Sequence, residues 1–181
     1  MKPICEDHVD HVLEQWDRER PDLDTSAVAV IGRIGRAARY IDLALDRVFA
    51  RHGLTREAFD VLAALRRSGP PYRLSPTALH RALMRTSGAM TNRLHRLESA
   101  GLVARIPDPA DGRGVLVELT AKGREAIERV VPDHLANERL LLSSLTRDEQ
   151  NTLAALLRKL LAALEQTEPP PPAFKRSRKQ G

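Results

Sequence analysis

The sequence predicts a mainly α-helical fold carrying one small β-hairpin. Two observations set this class. Apolar residues recur at steps of three and four along most of the chain, and only the stretch from about residue 103 to 119 switches to alternation. Aromatic residues are 3% of the 181, and the chain is filled instead with Leu, Ala and Arg, which favour helices.

The elements follow from local signals. Residues 6–19 read as a helix, with Val9, Val12, Leu13 and Trp16 at helical steps. Pro21 and its turn-forming neighbours Asp22 and Asp24 break it. Thr25 or Ser26 can cap a second helix that runs to about Arg51. Its stripe is Val30, Ile34, Ala37, Ile41, Leu45 and Val48, and Gly53 fits its stop. Thr55 caps a third helix whose core candidates are Phe59, Leu62, Ala63 and Leu65; Gly69-Pro70-Pro71 ends it.

Ser75 as N-cap and Pro76 at the first helical position start a short helix with Leu79, Ala82 and Leu83 inside. A tight turn at residues 84–86 leads to a helix over 87–100, and Gly101-Leu102 resembles a Schellman stop. Strands over 103–106 and 115–119 flank a loop, 107–114, rich in Pro, Gly and Asp, with Gly112 and Arg113 at its tip. Thr120 caps a long helix to about Leu142, with a bend expected at Pro132. Thr146 and Glu149 form a capping box opening a last helix through Gln166, striped by Leu153, Leu156, Leu157, Leu160 and Leu164.

Composition bounds the function. Hydrophobic residues at 42% and charged residues at 29% describe a globular, soluble chain. No apolar run is long enough to span a bilayer, and the acidic, polar N-terminus has no signal-peptide core, so a cytoplasmic protein with no membrane role is expected. Cys5 is the one cysteine, so no intrachain disulfide forms. One folded domain over 1–167 and a disordered, Pro-rich and basic tail over 168–181 are expected. That tail holds Lys175, Arg176, Arg178 and Lys179 against Glu168, so without it the net charge falls from +5 to about +2. A basic pI is therefore weak evidence for nucleic-acid binding, and the positions of the charges must carry the case.

The order short helix, tight turn, helix, hairpin is that of a winged helix-turn-helix, in which the second helix enters the DNA major groove. With Met90, Leu94 and Leu97 inward, the opposite face carries Gly88, Asn92, His95, Arg96 and Ser99, flanked by Ala89 and Thr91. Small residues let the backbone approach base edges, and Asn, Thr and Arg can read them. Ser87 and the free N–H groups of the first turn can hold a phosphate. Arg113, beside Asp111 on the hairpin, suits a phosphate or a narrow minor groove. Ser75, Thr77, His80, Arg81 and Arg85 line the flank as phosphate contacts. The blander reading of the same helix is a solvated amphipathic face with no partner. An enzyme is disfavoured: the chain has no Gly-rich phosphate loop, nucleophile elbow or H-E-x-x-H pair, and no cofactor or metal is expected. A non-specific architectural DNA binder using the basic tail, and a winged helix that binds only protein, remain alternatives.

The stretch 74–120 resembles the MarR family of bacterial regulators. The matching pieces are Ser75-Pro76-Thr77-Ala78-Leu79, Thr86-Ser87-Gly88-Ala89-Met90-Thr91-Asn92-Arg93-Leu94, Arg96-Leu97-Glu98 with Gly101-Leu102-Val103, and Asp111-Gly112-Arg113 followed by Val117 and Leu119-Thr120. The resemblance, which spans about residues 8–166, implies a homodimer joined by N- and C-terminal helices. It also implies binding to a short inverted repeat in double-stranded DNA, usually as a repressor relieved by a small ligand. The apolar stripes of the terminal helices support a dimer independently.

Trp16 with Arg20-Pro21-Asp22-Leu23-Asp24, and then Phe59-Asp60-Val61-Leu62, is similar to the PecS/HucR branch, whose members respond to urate or related phenolic compounds. That resemblance implies a ligand site at Trp16, Asp60 and Arg93. Arg93 lies on the flank of its helix, about 60° from the inward face, where it can reach a buried acid such as Asp60. An anionic ligand competing for Arg93 would release that bridge. Each residue also has a plainer reading: Trp16 as core or dimer packing, Asp60 as an exposed helix residue, Arg93 as a phosphate contact. Two other switches are weaker. Cys5 lacks nearby positive charge to make it a redox sensor, and Cys5, His8 and His11 drift around a helix too far to share one metal.

Overall fold

The computed structural model describes residues 6–83 and 90–167. Its elements are α1 (His8–Glu19), α2 (Ser26–Arg51), α3 (Arg56–Arg67), β1 (Arg73–Leu74), α4 (Pro76–Ala82), α5 (Met90–Ser99), β2 (Val103–Asp108), β3 (Asp111–Leu119), α6 (Ala121–Leu141) and α7 (Arg147–Thr167). The chain divides into two compact units after Leu45. The expected turn at 84–86, the start of the following helix with Ser87, Gly88 and Ala89, Cys5, and the tail from 168 lie outside the described residues.

In the first unit, Asp7 caps α1 and Asp10 completes a capping box. The Arg33 guanidinium holds both carboxylates, at 2.9 Å from Asp7 and 2.6 Å from Asp10. The Asp10 carboxyl is held below its ordinary range, first by the Asp7 backbone N–H and then by Arg33. Val9 is buried, and a Cβ on Gly32 would meet its side chain at 3.3 Å, so α1 and α2 approach closely there. At the start of α2, where Thr25 or Ser26 was expected as cap, the Asp24 carboxylate accepts the Ser26 N–H at 2.9 Å. The α2 stripe is largely uncovered, with Val30 57% and Ile41 39% exposed.

The second unit contains the core. α2 ends in a Schellman motif, with Gly53 at φ +68°, its N–H bonded to Ala50 O and the Leu54 N–H to Phe49 O. Thr55 caps α3 through the Ala58 N–H, and the expected core residues Phe59, Leu62, Ala63 and Leu65 are all buried. Phe49 stacks on Phe59 at 4.4 Å, with the His134 ring 4.7 Å from Phe59. Ser75 caps α4, and Leu79 and Leu83 are buried as expected.

The three strands form an antiparallel sheet in the order β1-β3-β2. β1 pairs Arg73 with Glu118 and Leu74 with Val117, a strand absent from the sequence reading. The hairpin also differs from its expectation. The strands extend to Asp108 and from Asp111, so the tip is Pro109-Ala110, and Gly112 and Arg113 belong to β3. The register breaks there: Asp108 faces Asp111, but the preceding Pro107 faces Val115, so residues 112–114 are extra residues of a bulge. Glycine fits at 114, where a Cβ would come within 2.8 Å of the Asp108 Cβ.

Thr120 caps α6 through the Gly123 N–H, and the helix continues across Pro132. At Gly123 the Leu102 carbonyl occupies the space a Cβ would take, so the start of α6 packs directly on the backbone before β2. Thr146 and Glu149 form the expected capping box on α7. None of α7 is buried. No helix among the described residues is long and apolar enough to cross a membrane.

Candidate nucleic-acid interface

α5 shows how the sequence separates two faces. Met90, Leu94 and Leu97 are buried against the core, while Thr91, Asn92, His95, Arg96 and Ser99 are exposed. Steps of four and three put the first set on one side, and the polar set falls on the other. The helix ends in a second Schellman motif: the Gly101 N–H bonds Glu98 O at 2.8 Å and the Leu102 N–H bonds Leu97 O at 2.9 Å, with Gly101 at φ +70°. The Lys122 ammonium takes the Ala100 carbonyl at 2.8 Å. Arg105 of β2 lies 3.6 Å from Glu98, tying the helix to the hairpin.

The other predicted contacts lie at α4 and on β3. Thr77 is exposed on α4. The Ser75 hydroxyl accepts the Ala78 N–H at 3.2 Å as N-cap, which leaves its proton available to an outside acceptor. Asp111 is exposed at the start of β3, and Arg113 follows in the bulge between two glycines.

Two cavities accompany the site. One, of about 350 Å³, is walled by Asn92, Arg93 and Arg96 of α5 and by Gly53, Leu54, Thr55 and Glu57 at the α2–α3 corner. Predicted reading residues and the half-buried Arg93 therefore share one cavity. Glu57, which the sequence reading did not single out, faces it. Its carboxyl is held below the usual range by its own backbone N–H, then by the Thr55 hydroxyl, with smaller contributions from Arg93 and Arg56. The signal in the sequence was its place in the first turn after a Thr cap. The second cavity, of about 330 Å³, lies between α3 and α6 and is lined by Phe59, Asp60, Arg66, Glu128 and His134 among others. Asp60 is half-buried there. Trp16, on α1 in the first unit, is 45% exposed.

The lowered Glu57 pKa sets a pH dependence. A folded-state pKa below the unfolded value of about 4.5 gives a contribution that is full above that pH and lost as pH falls through the folded value. Glu57→Gln is therefore expected to be less stable than wild type near neutrality, with the difference closing as pH falls below 4.5 and through the folded value. Urea unfolding of both proteins at several pH values measures this; a difference that persists unchanged in acid contradicts it.

The metal candidate falls differently from its expectation. Glu6, His11 and Glu14 present ligand atoms within 4.8 Å of one another, but all three are exposed. His11 lies 3.8 Å from Glu14, as on a solvated helix face.

A short helix, a second helix with a polar outer face, and an antiparallel hairpin packed beside it define a winged helix-turn-helix, a DNA-binding class. Comparison with known proteins places it further. The MarR family model matches residues 52–114. The HTH-type transcriptional regulator PecS of Dickeya dadantii is 45% identical over 149 residues, covering 82% of this chain and 90% of that protein. Sco3205, a MarR family transcriptional regulator from Streptomyces coelicolor solved in complex with DNA, superposes with a TM-score of 0.73 at 27% identity, over 83% of this chain and 96% of that one. BpsR of Bordetella bronchiseptica, whose DNA binding is regulated by 6-hydroxynicotinic acid, superposes with a TM-score of 0.65 at 30% identity, over 72% of this chain and 91% of that one. The chain belongs to the MarR family of transcriptional regulators and is related to the PecS-like regulators. Members of this family are DNA-binding proteins and not enzymes.

Proposed function

We propose that this protein is a homodimeric repressor that binds a short inverted repeat through α5 and the wing and is released by a small anionic aromatic ligand of the urate or phenolic type. The observation that carries DNA reading is the division of α5, with Thr91, Asn92 and Arg96 exposed opposite three buried apolar residues. Thr91, Asn92 and Arg96 read base edges. Ser75, Thr77, Ser87, Asp111 and Arg113 make or support backbone contacts, and the small residues Gly88 and Ala89 admit close approach to the base edges. The reading of α7 as a dimer element is supported by its apolar residues, of which none is buried, and the α2 stripe supports the same role.

The effector reading rests on Arg93. It is half-buried and shares its cavity with Asn92 and Arg96, so an anion drawn to its guanidinium would stand against two residues proposed to read DNA. By resemblance to the urate-responsive branch, Asp60 and Trp16 are the other ligand residues; Asp60 lines the cavity between α3 and α6. The relative BpsR, regulated by an aromatic acid, supports the ligand class.

A titration of the protein–operator complex with urate tests this, using wild type and Arg93→Ala. Urate is expected to release the wild-type complex, while the variant still binds the operator but needs at least about tenfold more urate, the loss of one charge-assisted contact. Equal release of both proteins by urate would remove Arg93 from the site, and no release of wild type would remove urate as the effector.

A further inference from the structure

We propose that Tyr72 is a positioning residue for DNA binding: it fastens the root of the wing to α3 and α6 through two guanidiniums stacked on its ring. Tyr72 has a φ of +60°, in the left-handed region that glycine enters freely and a residue with a Cβ does not. The chain nevertheless carries a tyrosine there, so contacts of the ring must offset the backbone cost. The Arg66 guanidinium of α3 lies 5.2 Å from the ring centroid and that of Arg124 of α6 lies 5.3 Å away, both in cation–π range. Arg66 is itself aimed by Glu128, at 2.6 Å.

The backbone of the same residue holds the wing. The Tyr72 carbonyl accepts the Leu119 N–H at 3.1 Å, at the end of β3, and its own N–H donates to Gly69 O at 2.7 Å. Arg73 and Leu74 then pair with Glu118 and Val117, and the Arg73 guanidinium bonds the Glu118 carboxylate at 3.0 Å. Ring and backbone thus fasten opposite partners: two helices on one side, the base of β3 on the other. β3 carries Asp111 and Arg113 at its far end, so a small rotation at Tyr72 becomes a larger displacement at the bulge. This inference rests on the reading in which Arg113 contacts DNA.

The test uses the full chain and a duplex of its own upstream DNA, with affinity measured by fluorescence anisotropy over a series of salt concentrations. Tyr72→Phe keeps the ring and is expected to bind like wild type. Tyr72→Ala is expected to lose about tenfold in affinity and to lower the salt-dependence slope by about one per protomer, the signature of a lost phosphate contact. Arg113→Ala should do the same, and the double variant should be little worse than either, because both remove one wing contact. Losses that add in the double variant, or a Tyr72→Ala protein with an unchanged salt slope, overturn the proposal.

Two further variants guard against a misfolded alanine protein. Tyr72→Gly relieves the backbone while removing the ring, and Arg66→Lys keeps the charge facing Glu128 but loses the planar stacking. Both are expected to copy Tyr72→Ala in DNA binding with the fold intact. Amide exchange in the free protein separates this inference from the function on which it rests. If Arg113→Ala binds DNA normally, the wing-contact reading fails. Faster exchange confined to the hairpin in Tyr72→Gly would still support Tyr72 as its anchor, and unchanged exchange would remove it.

Discussion

Arg96→Ala is expected to lower affinity for the specific operator by about 30-fold to 10⁴-fold. A bidentate base contact discriminates by about 1–3 kcal/mol, and a two-fold dimer loses it at both half-sites. Binding to bulk DNA should fall far less, because that binding depends on phosphate charge and loses only one cation per protomer. The guanidinium is exposed on α5, and the helix is held by Met90, Leu94 and Leu97, so stability should stay within about 0.5 kcal/mol of wild type. Anisotropy titrations against operator and scrambled duplexes, beside a thermal melt, make the comparison. Equal losses on both duplexes would make Arg96 a phosphate contact, and no loss on either would remove it from the interface.

Leu156→Asp should act from a distance. Leu156 is 61% exposed on α7, a helix of 21 residues with none buried. A solvated leucine tolerates aspartate at little cost in a monomer. At a dimer interface the same change buries an unpaired carboxylate and costs about 3–5 kcal/mol. The protein is therefore expected to sediment as a monomer with its helix content intact. Operator affinity should then fall by about 10²-fold to 10⁴-fold, since each half-site no longer raises the effective concentration of the other reader. A variant that stays dimeric would move the interface away from this stripe of α7.

What the sequence made legible was local. The Thr55, Ser75 and Thr120 caps, the Thr146–Glu149 box and the stops at Gly53 and Gly101 each depend on a few adjacent residues, and the structure has them in place. The inward face of α5 followed from period alone. What stayed hidden depended on distant partners. β1 is two residues long, too short to carry a period, and exists because Glu118 and Val117 are there to pair with it. The segment 107–114 has the composition of a loop, yet pairing across the hairpin draws it into the strands and concentrates the irregularity in a bulge. The meeting of Arg93 with Glu57 and Arg96 around one cavity needs the α2–α3 corner folded against α5, which no spacing in the sequence encodes. Tyr72 was passed over for the same reason, since its two arginine neighbours come from helices on either side of the wing in sequence.

Specific DNA recognition is the role proposed for α5 and the wing. The most direct test is a gel-shift of the full chain with the DNA immediately upstream of its own gene, competed with an excess of unrelated duplex. A discrete complex that survives competition is expected, with a preference of at least about 10³-fold over bulk DNA. A complex that unrelated DNA removes at equal concentration would contradict this role and leave only charge-driven, sequence-independent binding.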